Sequence, residues 1–239
     1  MLVFVQIPCL NEEETLPLVL ESIPRSVPGA DRVEVLVIDD GSTDRTSRVA
    51  REAGATVLDL PCNMGVGGAM RAGFEYARAN GYDQVIQVDA YGQHDPKDID
   101  AVFSGLERAD ISIGARFADK GDYTVHGPRR WAMAMLACAI SRLAGTRLTD
   151  VTSGFRAADR TAIEQYCCYY PAEYLGDTVD SLVMAVRCGC SVVQVPVEMR
   201  PRQAGVPSQN PWRAAAYLGR SVFALLVSMT RRPLPPEVR

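Results

Sequence analysis

Apolar and polar positions along the first 115 residues follow two alternating periods. Short runs rich in β-branched residues recur at 2–7 (LVFVQI), 33–38 (VEVLVI), 55–60 (ATVLDL), 83–88 (DQVIQV) and 110–115 (DISIGA), bounded by Gly, Pro, Asn or Asp. These predict strands. Helical patterns fill the gaps at about 12–23, 44–53, 65–80 and 96–108, and one more follows at about 128–144. Thr43 and Asp44 stand where they can cap the second helix, and Pro96 suits the first turn of the fourth. Strand and helix in alternation predict an α/β fold with a mostly parallel sheet flanked by helices. Ligands of such sheets bind at the carboxyl ends of the strands.

The polar residues gather at those ends. The first four strands run into PCLNEEE (8–14), DDGSTD (39–44), PCNMGVGGAMRAG (61–73) and DAYGQHD (89–95). Acidic and amide groups are thereby directed to one rim beside a glycine-rich loop. Gly65, Gly67 and Gly68 permit close backbone approach to a ligand, and Asp40 can accept hydrogen bonds from a nucleobase imide or a ribose. The pattern is not a dinucleotide fingerprint, because the glycine cluster follows the third strand and no GxGxxG follows the first. It is not a P-loop either, since GK[ST] is absent.

Composition sets outer limits. The 239 residues, 47% hydrophobic and 23% charged, suffice for one catalytic domain with a tail. A net charge of -4 argues against a chain-wide nucleic-acid footprint. Basic residues nevertheless crowd the end: Arg200, Arg202, Arg213, Arg220, Arg231, Arg232 and Arg239 face a single acid, Glu237. This stretch is either a solvated tail or a surface for anionic lipid or phosphate. The seven cysteines show no CxxC spacing and no secretory leader precedes them, so reduced thiols in a cytosolic protein are expected, with Cys9, Cys62, Cys138, Cys188 and Cys190 packed in the core. The longest apolar runs, 131–140 and 222–229, fall short of the roughly 20 residues of a membrane-spanning helix. The chain is therefore expected not to cross a bilayer. Residues 211–230, with Trp212, Tyr217 and Phe223 among arginines, read either as a packing helix or as one lying in a membrane interface.

Taken in order, IPCLNEEETL (7–16), VIDDGSTDRT (37–46), NMGVGGAMRAG (63–73), VDAYGQHDP (88–96), GARF (114–117), GPRRWA (127–132), DVTSGFRAADR (150–160) and VPVEMRPRQAG (195–205) resemble the GT-A glycosyltransferases of family 2. The likeness is to the dolichyl-phosphate-mannose synthase-like branch, which makes polyprenyl-phosphate sugars. The resemblance implies a single GT-A domain over 1–210, with a nucleotide-binding half (1–115) and an acceptor-binding half (116–210), followed by a helix and basic tail (211–239). It implies a nucleotide-diphosphate sugar of UDP or GDP, with the base near Pro8, Asn11, Glu12 and Asp40 and further contacts from Asp39, Asn63, Gly65, Gly68, Arg71 and Ser153. It implies Mg²⁺ or Mn²⁺ as cofactor, bound by Asp89 and Gln93.

Tyr91 departs from the family's DxD, since a neutral phenol is a poor ligand for a hard cation. Three explanations stand: Asp89, Gln93 and the diphosphate hold the metal without it; arginines take over the metal's part; or the chain is impaired. Arg116, Arg129, Arg130, Arg156 and Arg202 all lie in matched loops, where guanidinium groups would hold diphosphate or acceptor phosphate. Arg129 and Arg130 follow Pro128 at a helix start, which itself favours anions. Asp89, Arg129 and Asp150 are the candidate catalytic residues.

A polyprenyl phosphate acceptor is already an anion and needs no base, whereas a sugar hydroxyl needs one. Asp150, Asp177 and Asp180 are candidates for that base, while His94 and His126 read as ordinary turn residues. The expected activity is an inverting, metal-dependent transfer to a polyprenyl phosphate at the cytoplasmic membrane face. The enzyme would be peripheral at the inner face of the plasma membrane, docked through a small integral-membrane partner or a homo-oligomer. Transfer to a hydroxyl of a saccharide or small molecule, and a non-catalytic nucleotide-sugar-binding homologue, are the alternatives.

Overall fold

The computed structural model describes residues 1–116, 128–171 and 177–198, with the side chains of 128–132 and of Asp177 outside that description. The side chains of Arg129 and Arg130, all of His126 and Arg202, the helix expected at 211–230 and the basic tail therefore lie outside the described residues. In chain order the elements are β1 (Leu2–Cys9), α1 (Leu16–Ser22), β2 (Arg32–Asp39), α2 (Thr46–Glu52), β3 (Thr56–Asp59), α3 (Gly65–Ala79), β4 (Gln84–Gln87) and α4 (Ile99–Ser104). After these come β5 (Ile111–Ala115), α5 (Pro128–Ala144), β6 (Arg156–Asp159), α6 (Arg160–Cys168), α7 (Asp177–Arg187) and β7 (Val192–Pro196).

Seven strands form one sheet in the order β3-β2-β1-β4-β6-β5-β7. β1, β2, β3 and β4 pair in parallel, as do β5 and β7. β6 runs antiparallel between β4 and β5 and joins the two groups. Two apolar cores cover the two faces. Val3, Val5 and Ile7 of β1 pack on one side with α1 and α4, and Phe4 packs on the other with α3, α5, α6 and α7. This is the period-two alternation of a strand buried on both sides. Gly73 lets α3 sit close to the sheet: a methyl there would lie 2.1 Å from Gln6 Oε1 and 2.7 Å from Ile38 Cδ1.

Several expectations change. The helix expected at 96–108 is divided into a 3₁₀ turn at Pro96–Asp98, α4, and a second 3₁₀ turn at Gly105–Glu107. Asp95 caps the first of these by accepting from the Lys97 backbone N–H at 3.1 Å. Asp44 accepts from the Thr46 backbone N–H at 2.9 Å at the start of α2, whereas the Thr43 N–H donates to Asn11 instead. Cys9 and Cys190 are buried as expected, Cys188 is partly so, and Cys62 and Cys138 are exposed. Cys62 lies in the open β3–α3 loop, and Cys138 faces outward from α5 beside Arg142. Among the described residues no helix is long and apolar enough to cross a membrane.

Candidate active site

The rim begins where β1 ends. Pro8 pairs opposite Ile38 of β2, but the β1–β4 ladder stops at Gln6 and Gln87. A proline lacks the N–H a ladder needs, so β1 and β4 part here. The order of strands also reverses beside β1, the place where open α/β sheets bind ligands.

Local hydrogen bonds lace the β1 and β2 exits together. Asn11 sits at φ 56, a left-handed conformation that asparagine tolerates better than most residues. Its N–H donates to Ser42 Oγ (2.9 Å) and its Oδ1 accepts from the Thr43 N–H (2.8 Å). The Glu12 N–H donates to Thr46 Oγ1 (2.8 Å), and the Glu12 carboxylate accepts from the Thr15 hydroxyl (2.6 Å). Thus Asn11 and Glu12, expected beside a base, direct the described parts of their side chains to the loop itself. Asp39 is buried and accepts from the Ser42 N–H at 2.9 Å.

Asp40 joins the β2 exit to the β3 exit. Its Oδ1 accepts from the Met64 N–H at 2.7 Å, one residue before α3 begins. Gly41 makes this contact possible: it has φ 75, and a methyl on it would lie 2.9 Å from the Cys62 carbonyl carbon and Asn63 N. Asn63 Oδ1 accepts from the Gly65 N–H at 3.0 Å, and Gly65 takes φ 78. Gly68 is needed for packing, because a methyl there would lie 2.7 Å from Met64 Cβ. Arg71 is exposed on α3.

The acidic turn after β4 is organised by a histidine. His94, which reads in sequence as an ordinary turn residue, is buried and stacked on Phe155, with ring centroids 4.6 Å apart and planes at 14°. Its Nδ1 accepts from the Asp89 backbone N–H (3.2 Å), and its Nε2 lies 3.2 Å from Asp89 Oδ2. Burial pushes its pKa down; Asp89 acts against that, and the Arg116 charge reinforces it. Tyr91 and Gln93 are half-buried on the same turn. The sequence clue to His94 was its place directly after Gln93, but its partner Phe155 comes from a distant stretch.

The β5 exit meets the loop before β6. Arg116 donates to Asp150 through Nε (2.6 Å to Oδ2) and Nη2 (3.0 Å to Oδ1), and Nη2 also reaches Thr152 Oγ1 at 2.9 Å. Asp150 is fully buried. Burial alone would raise its pKa, but the hydrogen bonds and charge of Arg116, with help from Thr152, hold the carboxyl below the usual carboxylate range. This carboxylate, a candidate base from sequence, is engaged by Arg116 in the fold. Arg156 is likewise engaged within the fold. It is buried, and Nε, Nη1 and Nη2 donate to the carbonyls of Ser153 (2.8 Å), Thr178 (2.7 Å) and Val151 (2.6 Å). It clamps the Val151–Ser153 turn, with buried Ser153 in it, to the start of α7. Asp180 accepts from the Tyr169 hydroxyl at 2.8 Å.

No three His, Cys, Asp or Glu side chains converge as a metal-binding set among the described residues. Asp89 and Gln93 offer one carboxylate and one amide oxygen on the rim. Hard oxygen donors in that small number suit a cation that takes its remaining ligands from phosphate and water, as Mg²⁺ does.

The sequence model of glycosyl transferase family 2 matches residues 4–167. Over 222 residues the chain is 31% identical to polyprenol monophosphomannose synthase of Mycolicibacterium smegmatis, spanning 85% of this chain and 79% of that protein. Over 213 residues it is 32% identical to undecaprenyl-phosphate mannosyltransferase of Micrococcus luteus, spanning 83% of this chain and 84% of that protein. Its fold is similar to that of glucosyl-3-phosphoglycerate synthase from Mycobacterium tuberculosis in complex with Mn²⁺, uridine diphosphate and phosphoglyceric acid. That likeness has a TM-score of 0.72 at 21% identity and covers 96% of this chain and 79% of the other. At such identity the similarity is one of fold, and the fold is the GT-A arrangement.

Proposed function

The chain belongs to glycosyl transferase family 2, and we propose that it moves one sugar from UDP or GDP to a polyprenyl phosphate. The observation that carries this reading is similarity, over most of the chain, to two proteins named for mannose transfer to such lipids. The buried Arg116–Asp150 pair supports it from the side of chemistry. A hydroxyl acceptor needs a base, and Asp150, one of the three candidate carboxylates, is engaged by Arg116.

In the proposed reaction an oxygen of the ionised lipid phosphate attacks the anomeric carbon from the face opposite the nucleotide. The bond from that carbon to the diphosphate oxygen breaks as the new one forms, its electron pair leaves with the nucleotide, and configuration inverts. No proton has to be removed beforehand. Asp89 and Gln93 would hold Mg²⁺ or Mn²⁺, which when bound supplies Lewis-acid stabilisation of the departing diphosphate. Asp40 and Gly41 keep the loops after β2 and β3 in contact, which fixes the floor for the nucleotide. Arg116, oriented by Asp150, and Arg129 and Arg130 at the start of α5 would neutralise phosphate charge. Residues 1–115 would thus serve the donor and 116–210 the acceptor, at the cytoplasmic membrane face.

Release of UDP or GDP from the corresponding mannose or glucose donors, measured with and without polyprenyl phosphate, tests the proposal. Release that requires the lipid phosphate is expected. Release that requires a saccharide hydroxyl would replace the acceptor, and nucleotide binding without turnover would mark a non-catalytic homologue.

A further inference from the structure

Asp150 holds Arg116 by main chain and side chain together: its Oδ2 accepts from the Arg116 backbone N–H (3.3 Å) and from Nε (2.6 Å). A carboxylate can orient a guanidinium only as well as its own backbone is held. On the carboxyl side of Asp150, Arg156 donates to the carbonyls of Val151 and Ser153. On the amino side the hold comes from Gln194 of β7, which stands one residue before the matched stretch 195–205. Gln194 Oε1 accepts from the Thr149 N–H (2.7 Å) and the Thr149 hydroxyl (3.1 Å), and its Nε2 donates to the Asp150 carbonyl (2.9 Å). A backbone donor at one end and a backbone acceptor at the other admit only one orientation of the amide. β7 lies in register with β5, with Gln194 opposite Ile113, and the Val197 N–H donates to the carbonyl of Ala115, the residue before Arg116 (3.2 Å). The strand that fixes the backbone leading into Arg116 therefore also carries the side chain that fixes the backbone of its carboxylate partner.

We infer that Gln194 is a positioning residue, which seats the Thr149–Asp150 backbone against β7 and, through the Asp150 carboxylate, aims the Arg116 guanidinium. The side chain of Asp150 is 0% exposed and that of Arg116 18%, so the guanidinium reaches solvent while its direction is set from within the fold. Without the amide the loop loses three hydrogen bonds together. A group displaced by about 1 Å at a reacting centre can cost about 100-fold in rate, even when the change is made away from the chemistry.

The inference rests on the proposed role of Arg116 towards phosphate, and two measurements separate them. The first needs no substrate: solvent exchange of the Arg116 Nε–H is followed by ¹⁵N magnetic resonance in the natural chain, Gln194→Leu and Gln194→Glu. Gln194→Leu keeps the approximate volume and loses all three bonds; Gln194→Glu keeps the acceptor for Thr149, loses the donor to Asp150, and serves where Gln194→Leu does not fold. Exchange faster by about 10-fold or more is expected, and unchanged exchange in the folded variants would overturn the inference. The second is a cycle of kcat/KM for lipid-phosphate-dependent nucleotide release in the natural chain, Gln194→Leu, Arg116→Ala and the double variant, with Gln194→Glu replacing Gln194→Leu on the same condition. A loss of about 10-fold or more for the Gln194 variant alone, and no further loss when Arg116 is already alanine, is expected of a residue that acts through Arg116. Losses that multiply in the double variant would overturn the inference and leave Gln194 a support of the fold. An Arg116→Ala chain with undiminished kcat/KM would instead overturn the proposed role of Arg116, and with it the functional part of the inference, even where the exchange rates respond.

Discussion

Between Asp89 and Gln93 the chain places the half-buried phenol of Tyr91. Replacing it with aspartate adds a second carboxylate to the turn, and Tyr91→Asp is expected to tighten Mn²⁺ binding and raise turnover. A gain of about 1.4 kcal/mol in the transition state would give tenfold. Titrating Mn²⁺ against initial rate for both chains decides it; unchanged metal affinity with lower activity would show the tyrosine to be an adapted contact. Asp89→Ala should abolish metal-dependent nucleotide binding. Asp150 makes a prediction about stability. Its carboxyl is held below the ordinary range in the fold, and an unfolded aspartate titrates near 3.9, so the pair's contribution is whole above about pH 4 and is lost as pH falls through the lower folded value. Asp150→Asn should cost about 3 kcal/mol at pH 7, the lower end of what a broken buried pair costs, because Arg116 still reaches solvent. Urea unfolding should show that gap closing as the pH drops below about 4.

At the scale of elements, α3 on β1 offers the sharpest test. Among the described residues neither Nε2 nor Oε1 of buried Gln6 has a hydrogen-bond partner, and Gly73 presses against that amide. Gln6→Met removes both orphaned atoms at nearly constant volume and should raise stability by about 1 kcal/mol. Gly73→Ala drives a methyl into the same place and should cost about 1–3 kcal/mol, read by thermal unfolding. The first five strands were legible because β-branched runs end at turn residues, and each stands within a residue or two of its expected position. β6 was not legible. Arg-Ala-Ala-Asp has no strand signal of its own and becomes a strand because β4 and β5 each present it an edge. α6, α7 and β7 likewise lie beyond the regular strand–helix alternation of the first 115 residues. Within the site, the polar strand ends could be read directly from the chain. The places of His94 and Arg156 could not, because a histidine buried against a distant phenylalanine and an arginine capping three carbonyls look, in sequence, like a turn and a phosphate contact.

Across the whole molecule, charge is divided. Seven arginines beyond residue 199 face one glutamate, so the preceding part is more acidic than the chain's net charge of -4. Membrane attachment through that basic, aromatic segment predicts flotation with anionic liposomes at low salt and release as salt rises, since screening weakens exposed attraction. No flotation at low salt would sink the idea. The position of β6 bears on the order in which the molecule is made. β1 to β4 are contiguous in the chain and pair with one another in parallel, leaving one edge of β4 for β6. β5 follows but pairs with β6 and β7, both still to be synthesised. Residues 156–159 are the strand through which the late half of the sheet is joined to the early half, so that join can form only after β6 is made. The same event delivers Phe155 to His94, the buried ring that accepts from the Asp89 N–H. A nascent chain can thus assemble its nucleotide-side strands early without acquiring the finished acidic turn, which is completed only when the two halves of the sheet close.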